Sequence, residues 1–404
     1  MILRKSSFIG IVSFAYLFLL YMFSEQIKIE TLVLLLGFIL FALLFKINVW
    51  QFSLPTRLLL VYILIGTFAT LIGGNAKLDD LVEFVAALII GIIFCSIILN
   101  ESMRESQISA VKAVSVVAFL GCILQIFVPD LLSLFNQVRM GSTKYSWYID
   151  FQRSGFIIGF SFQTAVTGFY LSILIAYIFC KLIGKDNSTR SKTLGIIMLL
   201  FCYVLLFQTG KRIFIVLTLM IGLFLFAMHN KKHILKILAL SIVALCVLFV
   251  LLNNTLIGQR LIMRAESLDP TRGRMGIYAQ LWASFSQKPI FGNGLTSTLQ
   301  LLNGFQNGHN IYLQILSESG LVGFFLIIPV FIINTINAIR LLVDGIRNKE
   351  DTSILSFCLF VELLFLGWGF TGNPLYDVYP FVVYMIVVGV VNSIILEKQK
   401  AYLN

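Results

Sequence analysis

FVAALIIGIIFCSIIL, residues 84–99, holds no charged side chain. As a helix it covers about 24 Å at 1.5 Å per residue, most of a ~30 Å hydrocarbon core. LVLLLGFILFALLF at 32–45 and ILKILALSIVALCVLFVLL at 234–252 repeat the pattern with a single lysine between them. Over 404 residues, 59% are hydrophobic and 12% charged, and the mean hydropathy is +0.94. No water-soluble fold hides that much apolar surface, so the sequence predicts an all-α polytopic membrane protein of roughly twelve transmembrane helices.

With Gly, Pro, Asn and charge clusters as breaks, helices are expected near 6–24, 29–46, 57–73, 81–100, 110–128 and 158–183. Six more are expected near 193–208, 212–228, 233–252, 315–341, 353–370 and 378–396. The run from Phe8 to Phe23 follows Arg4 and Lys5 but lacks a small-residue cleavage site, and so reads as a retained first helix rather than a secretory signal. The six cysteines, at 95, 122, 180, 202, 246 and 358, lie in apolar runs without CxxC pairs and read as packing residues. No internal repeat marks a transporter, and residues 1–404 read as one membrane domain.

Charge sets the orientation. Arg4, Lys5, Lys181, Lys185, Arg190, Lys192, Lys231, Lys232 and Lys236 fall on one side, which the positive-inside rule makes cytoplasmic together with both termini. The net charge of +11 thus follows from topology. Its cations sit singly at helix ends, with no basic domain of the kind that binds nucleic acid. Against the rule, Arg139, Lys144 and Arg153 gather in an outer loop at 129–157, and Arg260, Arg264, Arg272, Arg274 and Lys288 in a long periplasmic or extracellular loop at 253–310, before the tenth helix.

Inner loops are too short for a nucleotide-binding domain, and Gly292-Asn293-Gly294 lacks the strand–turn–helix context of a phosphate fingerprint. No cofactor is expected, and chemistry falls to the outer loops and helix ends. His229 and His233 belong to an inner basic turn; His309 faces outward where the long loop re-enters the membrane. An imidazole there is a candidate general base, its ordinary pKa of about 6.5 lying near working pH, or else a capping or loop residue. Arg272 and Arg274 precede an expected helix, Met275–Lys288, bearing Tyr278, Trp282 and Phe285. Arg212 opens the eighth span and Arg153 precedes the sixth. Guanidinium forks make paired, charge-assisted bonds to phosphate oxygens. Arg260, Arg264 and Lys288, taken singly, read as interfacial snorkelling. Asp79, Asp80 and Glu83 form either a cation site or a solvated helix start, and no metal is assigned. Glu362, inside the eleventh span, must be paired or face a polar cavity.

RMGIYAQLWASFSQKPIFGNG at 274–294 and GHNIYLQILSESGLVGF at 308–324 resemble the shared signature of the O-antigen polymerase and O-antigen ligase superfamily. The matching positions are Arg274, Pro289, Gly292, Gly294, His309, Asn310, Glu318, Gly320 and Gly323. QTGKRIFIV is similar to the family's Thr-Gly-x-Arg helix start, giving Thr209, Gly210 and Arg212. RSGFIIGFSFQTA resembles its Arg-x-x-Gly-x-Phe segment, with Arg153, and carries Phe162-Gln163 where the family has Pro-Asn.

The resemblance implies metal-independent transfer of an oligosaccharide from undecaprenyl diphosphate to a sugar hydroxyl, on the outer face of the bacterial inner membrane. His309 would deprotonate the acceptor, Arg153, Arg212, Arg272 and Arg274 would hold the diphosphate, and Asn310, Glu318 and Tyr278 would support them. Without a nucleotide site, activation must arrive on the donor, and a lipid diphosphate is such a leaving group. The first expectation is a polymerase that joins lipid-linked repeat units of O-antigen, capsule or exopolysaccharide, working beside a flippase and a chain-length regulator. The alternatives are a ligase that moves the glycan to lipid A core of lipopolysaccharide or to protein, and a flippase of the same lipids. A flippase should carry charges along its spans, which here are almost absent.

Overall fold

The computed structural model describes residues 5–23, 53–73, 76–184, 189–230, 250, 253–265, 273–302 and 307–403. Their order is α1 (Lys5–Phe23), α2 (Leu54–Gly73), α3 (Leu78–Ser96), α4 (Glu101–Phe127), α5 (Pro129–Arg139), α6 (Ser142–Arg153), α7 (Thr164–Ile183) and α8 (Thr189–Gln208). There follow α9 (Arg212–His229), α10 (Leu256–Ala265), α11 (Arg274–Gln287), α12 (Ser297–Leu301), α13 (Ile311–Asn348), α14 (Ser353–Trp368) and α15 (Val378–Leu403). Seven of them, α2, α4, α7, α8, α9, α13 and α15, are long and apolar enough to cross a membrane, and α1 and α14 are shorter apolar helices. The chain is a multi-pass membrane protein. The expected spans at 29–46 and, apart from Val250, at 233–252 lie outside the described residues, as do Arg272, His233 and Cys246; the other five cysteines are buried and free of disulfides.

Two boundaries depart from expectation for a local reason. α4 starts at Glu101 rather than near 110, because Asn100 caps it, accepting from the Met103 amide at 3.0 Å, and its polar first turns bring Arg104 to Glu397 of α15 at 2.6 Å. α7 starts at Thr164 rather than near 158, because a side chain replaces helical bonding in the segment before it. The Gln125 oxygen accepts from the Ile158 and Gly159 amides at 2.8 Å each, and its amide donates to the Phe156 carbonyl at 2.9 Å. Gly159 takes a φ of 59° with its α-carbon against the backbone of Gly121, where no Cβ fits.

α7 and α14 form the centre of the bundle. Phe169 and Tyr170 of α7 pack against Trp368 of α14 and Tyr379 of α15, and Phe365 stacks on Tyr384 at 4.4 Å. α4 and α9 pack on α7, α1 packs on α4, and α2 and α3 close the other side against α13 and α15. Glu362 is wholly buried, with the Thr335 hydroxyl beside its carboxyl group. The loops at 129–157 and 253–310 are themselves helical, the first holding α5 and α6, the second α10, α11 and α12.

Candidate functional site

α13 is broken near its start. Gly320 has φ 62° and ψ −162°, a conformation open essentially to glycine alone, and splits a short helical entry from the long span. The backbone bonds lost at this break are exchanged with the Pro289–Gly294 turn. The amides of Leu321 and Val322 donate to the Pro289 and Ile290 carbonyls at 2.8 and 3.1 Å, while the freed carbonyls of Ser317 and Glu318 accept from Asn293 and Gly294 at 3.0 and 2.8 Å. A Cβ on Gly292 or Gly320 would run into the opposing backbone. The two glycine motifs of the sequence are thus two halves of one joint.

Glu318 fastens the joint from inside. Fully buried, its carboxylate accepts from the Thr296 and Thr298 amides at 3.0 and 3.3 Å, from Gln314 at 2.9 Å and from the Tyr376 hydroxyl at 2.9 Å. Gln314 in turn accepts from the Gly308 amide at 2.9 Å. Asn310 is the N-cap of α13, its oxygen taking the Tyr312 and Leu313 amides at 3.0 and 3.1 Å. Glu318 and Asn310, two of the three residues expected to support the site, thus accept from backbone amides.

His309, half-buried, sits between these anchors at a φ of 52°, which a non-glycine residue keeps only when its surroundings fix it. The Tyr278 hydroxyl donates to its carbonyl at 3.1 Å, and the Ile311 amide to Gly369 at 2.9 Å. Burial, with the charges of Arg274 and Lys211, pushes the imidazole down to about 4, so that His309 is neutral at physiological pH. Arg274 opens α11 and also opposes the upward push of burial on the Tyr278 phenol. Lys211 lies between Thr209-Gly210 and α9, its amide donating to Thr209 Oγ1 at 3.3 Å. It acts on Asp377 as well: burial pushes that carboxyl up to about 7, and Lys211 pulls it back.

The remaining cations are disposed differently. Arg212 is exposed in the first turn of α9. Arg153, exposed at the end of α6, lines a pocket of about 470 Å³ with Gln137, Tyr145 and Asp150. Its segment docks on the α8–α9 turn, the Ile157 amide donating to the Gln208 carbonyl at 3.1 Å, and Arg260 of α10 reaches Gly155. The backbone thus brings the Arg153, Arg212, Arg274 and His309 motifs to one end of the bundle, with Arg274 and Lys211 acting electrostatically on the histidine. Reading by motif missed Lys211, although it stands between two motif positions, Gly210 and Arg212. It also missed Gln314, signalled by a polar residue one helical turn before Glu318 in an apolar run. Asp377 gave no signal, being one acid in a short loop before α15.

Among curated proteins none matches the chain. Residues 195–328 match the O-antigen ligase family, a stretch that runs from α8 through Lys211, Arg274 and His309 to the joint at Gly320 and stops short of Asp377. The glycine joint, the capped re-entry helix and the histidine between two cations all lie inside that stretch, which is similar to the O-antigen ligase family.

Proposed function

We propose that this protein is a polymerase that joins undecaprenyl-diphosphate-linked oligosaccharide repeat units on the outer face of a bacterial inner membrane, with both termini cytoplasmic. The observation that carries the reading is His309, neutral and half-buried between Arg274 and Lys211 where the chain re-enters the apolar bundle. A donor with an embedded lipid tail and an aqueous sugar has its diphosphate at that level. The acceptor hydroxyl oxygen bonds to the anomeric carbon as the bond from that carbon to the diphosphate oxygen breaks. The hydroxyl proton passes to His309, and the diphosphate leaves with its added negative charge beside Arg274 and Lys211. Arg212 and Arg153 line its approach.

The two cations that weaken His309 as a base are those that meet the diphosphate. Once donor is seated, its negative charge offsets them and the imidazole regains basicity. Proton transfer is thereby tied to an occupied site. A free site holds a poor base, and a loaded one a competent base.

Purified protein given lipid-linked repeat units alone tests the reading. A polymerase lengthens them without a second acceptor; a product that forms only after lipid A core is added makes the protein a ligase instead. Arg274→Lys keeps the charge and loses the planar fork, and is expected to lower the transfer rate about tenfold or more with expression unchanged. Full activity in both Arg274→Lys and Lys211→Gln excludes the cation pair from the reaction.

A further inference from the structure

The polarity of α5 is inside out. Leu131, Leu134, Phe135 and Val138, spaced i, i+3, i+4 and i+7 along one face of this helix, are all exposed, Val138 by 83%. The face turned to the bundle is polar instead. Asn136 is wholly buried and its amide donates to the Gly159 carbonyl at 3.2 Å, while Arg139 donates to the Asn136 oxygen at 2.9 Å and to the Phe160 carbonyl. Ser133 meets the Tyr145 hydroxyl of α6 at 2.9 Å, and Leu132 is buried with them. In water a stripe of this kind is a standing cost, which hydrocarbon removes. Two further features point to that medium. α4 is long and apolar enough to cross a membrane, its own Leu120, Leu124 and Phe127 are exposed, and only Val128 separates it from α5, so α5 begins at the level where the span ends. α6 follows across Met140 and Gly141 and carries Tyr145, Trp147 and Tyr148, with Lys144 over the Phe162 ring, the aromatic and cationic mix of the headgroup level.

We propose that α5 is not part of an aqueous loop but lies in the bilayer leaflet at the His309 end of the bundle, its apolar stripe among the acyl chains. Its polar face then holds the segment 156–163 from the membrane side. That segment docks on the α8–α9 turn through the Ile157 amide and the Gln208 carbonyl, so the immersed helix ties the leaflet to the turn that carries Lys211. The pocket that Arg153 lines, between α5 and α6, opens at headgroup level, where an amphiphile's polar part sits. The inference holds for whichever leaflet that end faces and does not rest on the transfer chemistry at His309.

Nitroxide labels on Leu134→Cys and Val138→Cys test the placement. Ile197→Cys, exposed on the membrane-crossing α8, is the hydrocarbon reference, and Glu105→Cys, exposed in the polar first turns of α4, is the aqueous one. Each full-length protein is reconstituted into vesicles of phosphatidylethanolamine and phosphatidylglycerol, with the parent protein treated alike as background. Collision of the label with oxygen, which concentrates in hydrocarbon, is compared with collision with a water-soluble nickel chelate. The labels at positions 134 and 138 are expected to favour oxygen to the extent seen at 197, a shift away from the ratio at 105. A ratio equal to that at 105 would put α5 in water. Shielding from both reagents would show that protein covers the stripe, a second copy of the chain if the shielding lapses on dilution into excess lipid. Either result overturns the proposal. Leu131→Cys, on the same stripe, takes the place of a variant that fails to fold.

Discussion

His309 does not hold the ordinary histidine pKa. Pushed down to about 4 by burial and two cations, it is deprotonated over the whole physiological range in the free protein. The acid limb of kcat/KM, which reports the free enzyme, is therefore expected near pH 4 rather than near 6.5, whereas that of kcat should lie higher because bound diphosphate offsets Arg274 and Lys211. Pre-steady-state and steady-state pH profiles check this, and coincident limbs near 6.5 would rule out the electrostatic coupling. The same depression has a sign for stability. The folded pKa lies below the unfolded one, so protonation favours unfolding, and stability falls as pH drops from about 6.5 towards 4 and is unaffected above. If His309 is the base, His309→Ala should bind lipid-linked donor almost normally and transfer about a hundredfold to ten-thousandfold more slowly. A well-folded variant with normal turnover would leave the histidine as a loop residue.

The element that makes this residue usable is the joint between the Pro289–Gly294 turn and the break at Gly320. Its backbone bonds run between segments that lie some thirty residues apart, and Glu318 secures both. Glu318→Ala orphans two buried amides and the Tyr376 hydroxyl, at about 1–3 kcal/mol for each unsatisfied group. Gly320→Ala adds a side chain where the opposing backbone stands and a φ of 62° forbids it. Both variants are expected to lower the thermal midpoint and the activity together, unlike His309→Ala, which should lower activity alone. Thermal unfolding in detergent beside a transfer assay separates the two patterns. An unchanged midpoint in both joint variants would show that the turn is not held by these contacts.

At the scale of the molecule, the motif-bearing loops gather at one end of the bundle and the cations of α13 and α15 at the other. Ser286 lies exposed in α11 and Asn348 exposed at the end of α13. Ser286→Cys is expected to react with an impermeant thiol reagent in intact spheroplasts, and Asn348→Cys only after lysis, with the parent protein as background. The reverse pattern would invert the topology and place the site in the cytoplasm, away from any outer-face polymerisation.

Hydropathy was enough to read the membrane bundle, because crossing hydrocarbon demands long apolar runs such as that of α7 whatever their neighbours. Residue type and spacing also disclosed the glycines of the joint, since a left-handed turn and a close backbone approach leave few alternatives to glycine. Spacing was silent about partners. That Glu318 closes the Pro289–Gly294 turn, that Asn310 and Tyr278 hold His309 through the backbone, and that Gln125 displaces the start of α7 depend on which carbonyls and amides meet across the bundle. Lys211 and Asp377 emerged only in three dimensions. Electrostatic influence acts through space, and residues more than a hundred and fifty positions apart come to act on one another only where α9 and α15 begin at the same end of the fold.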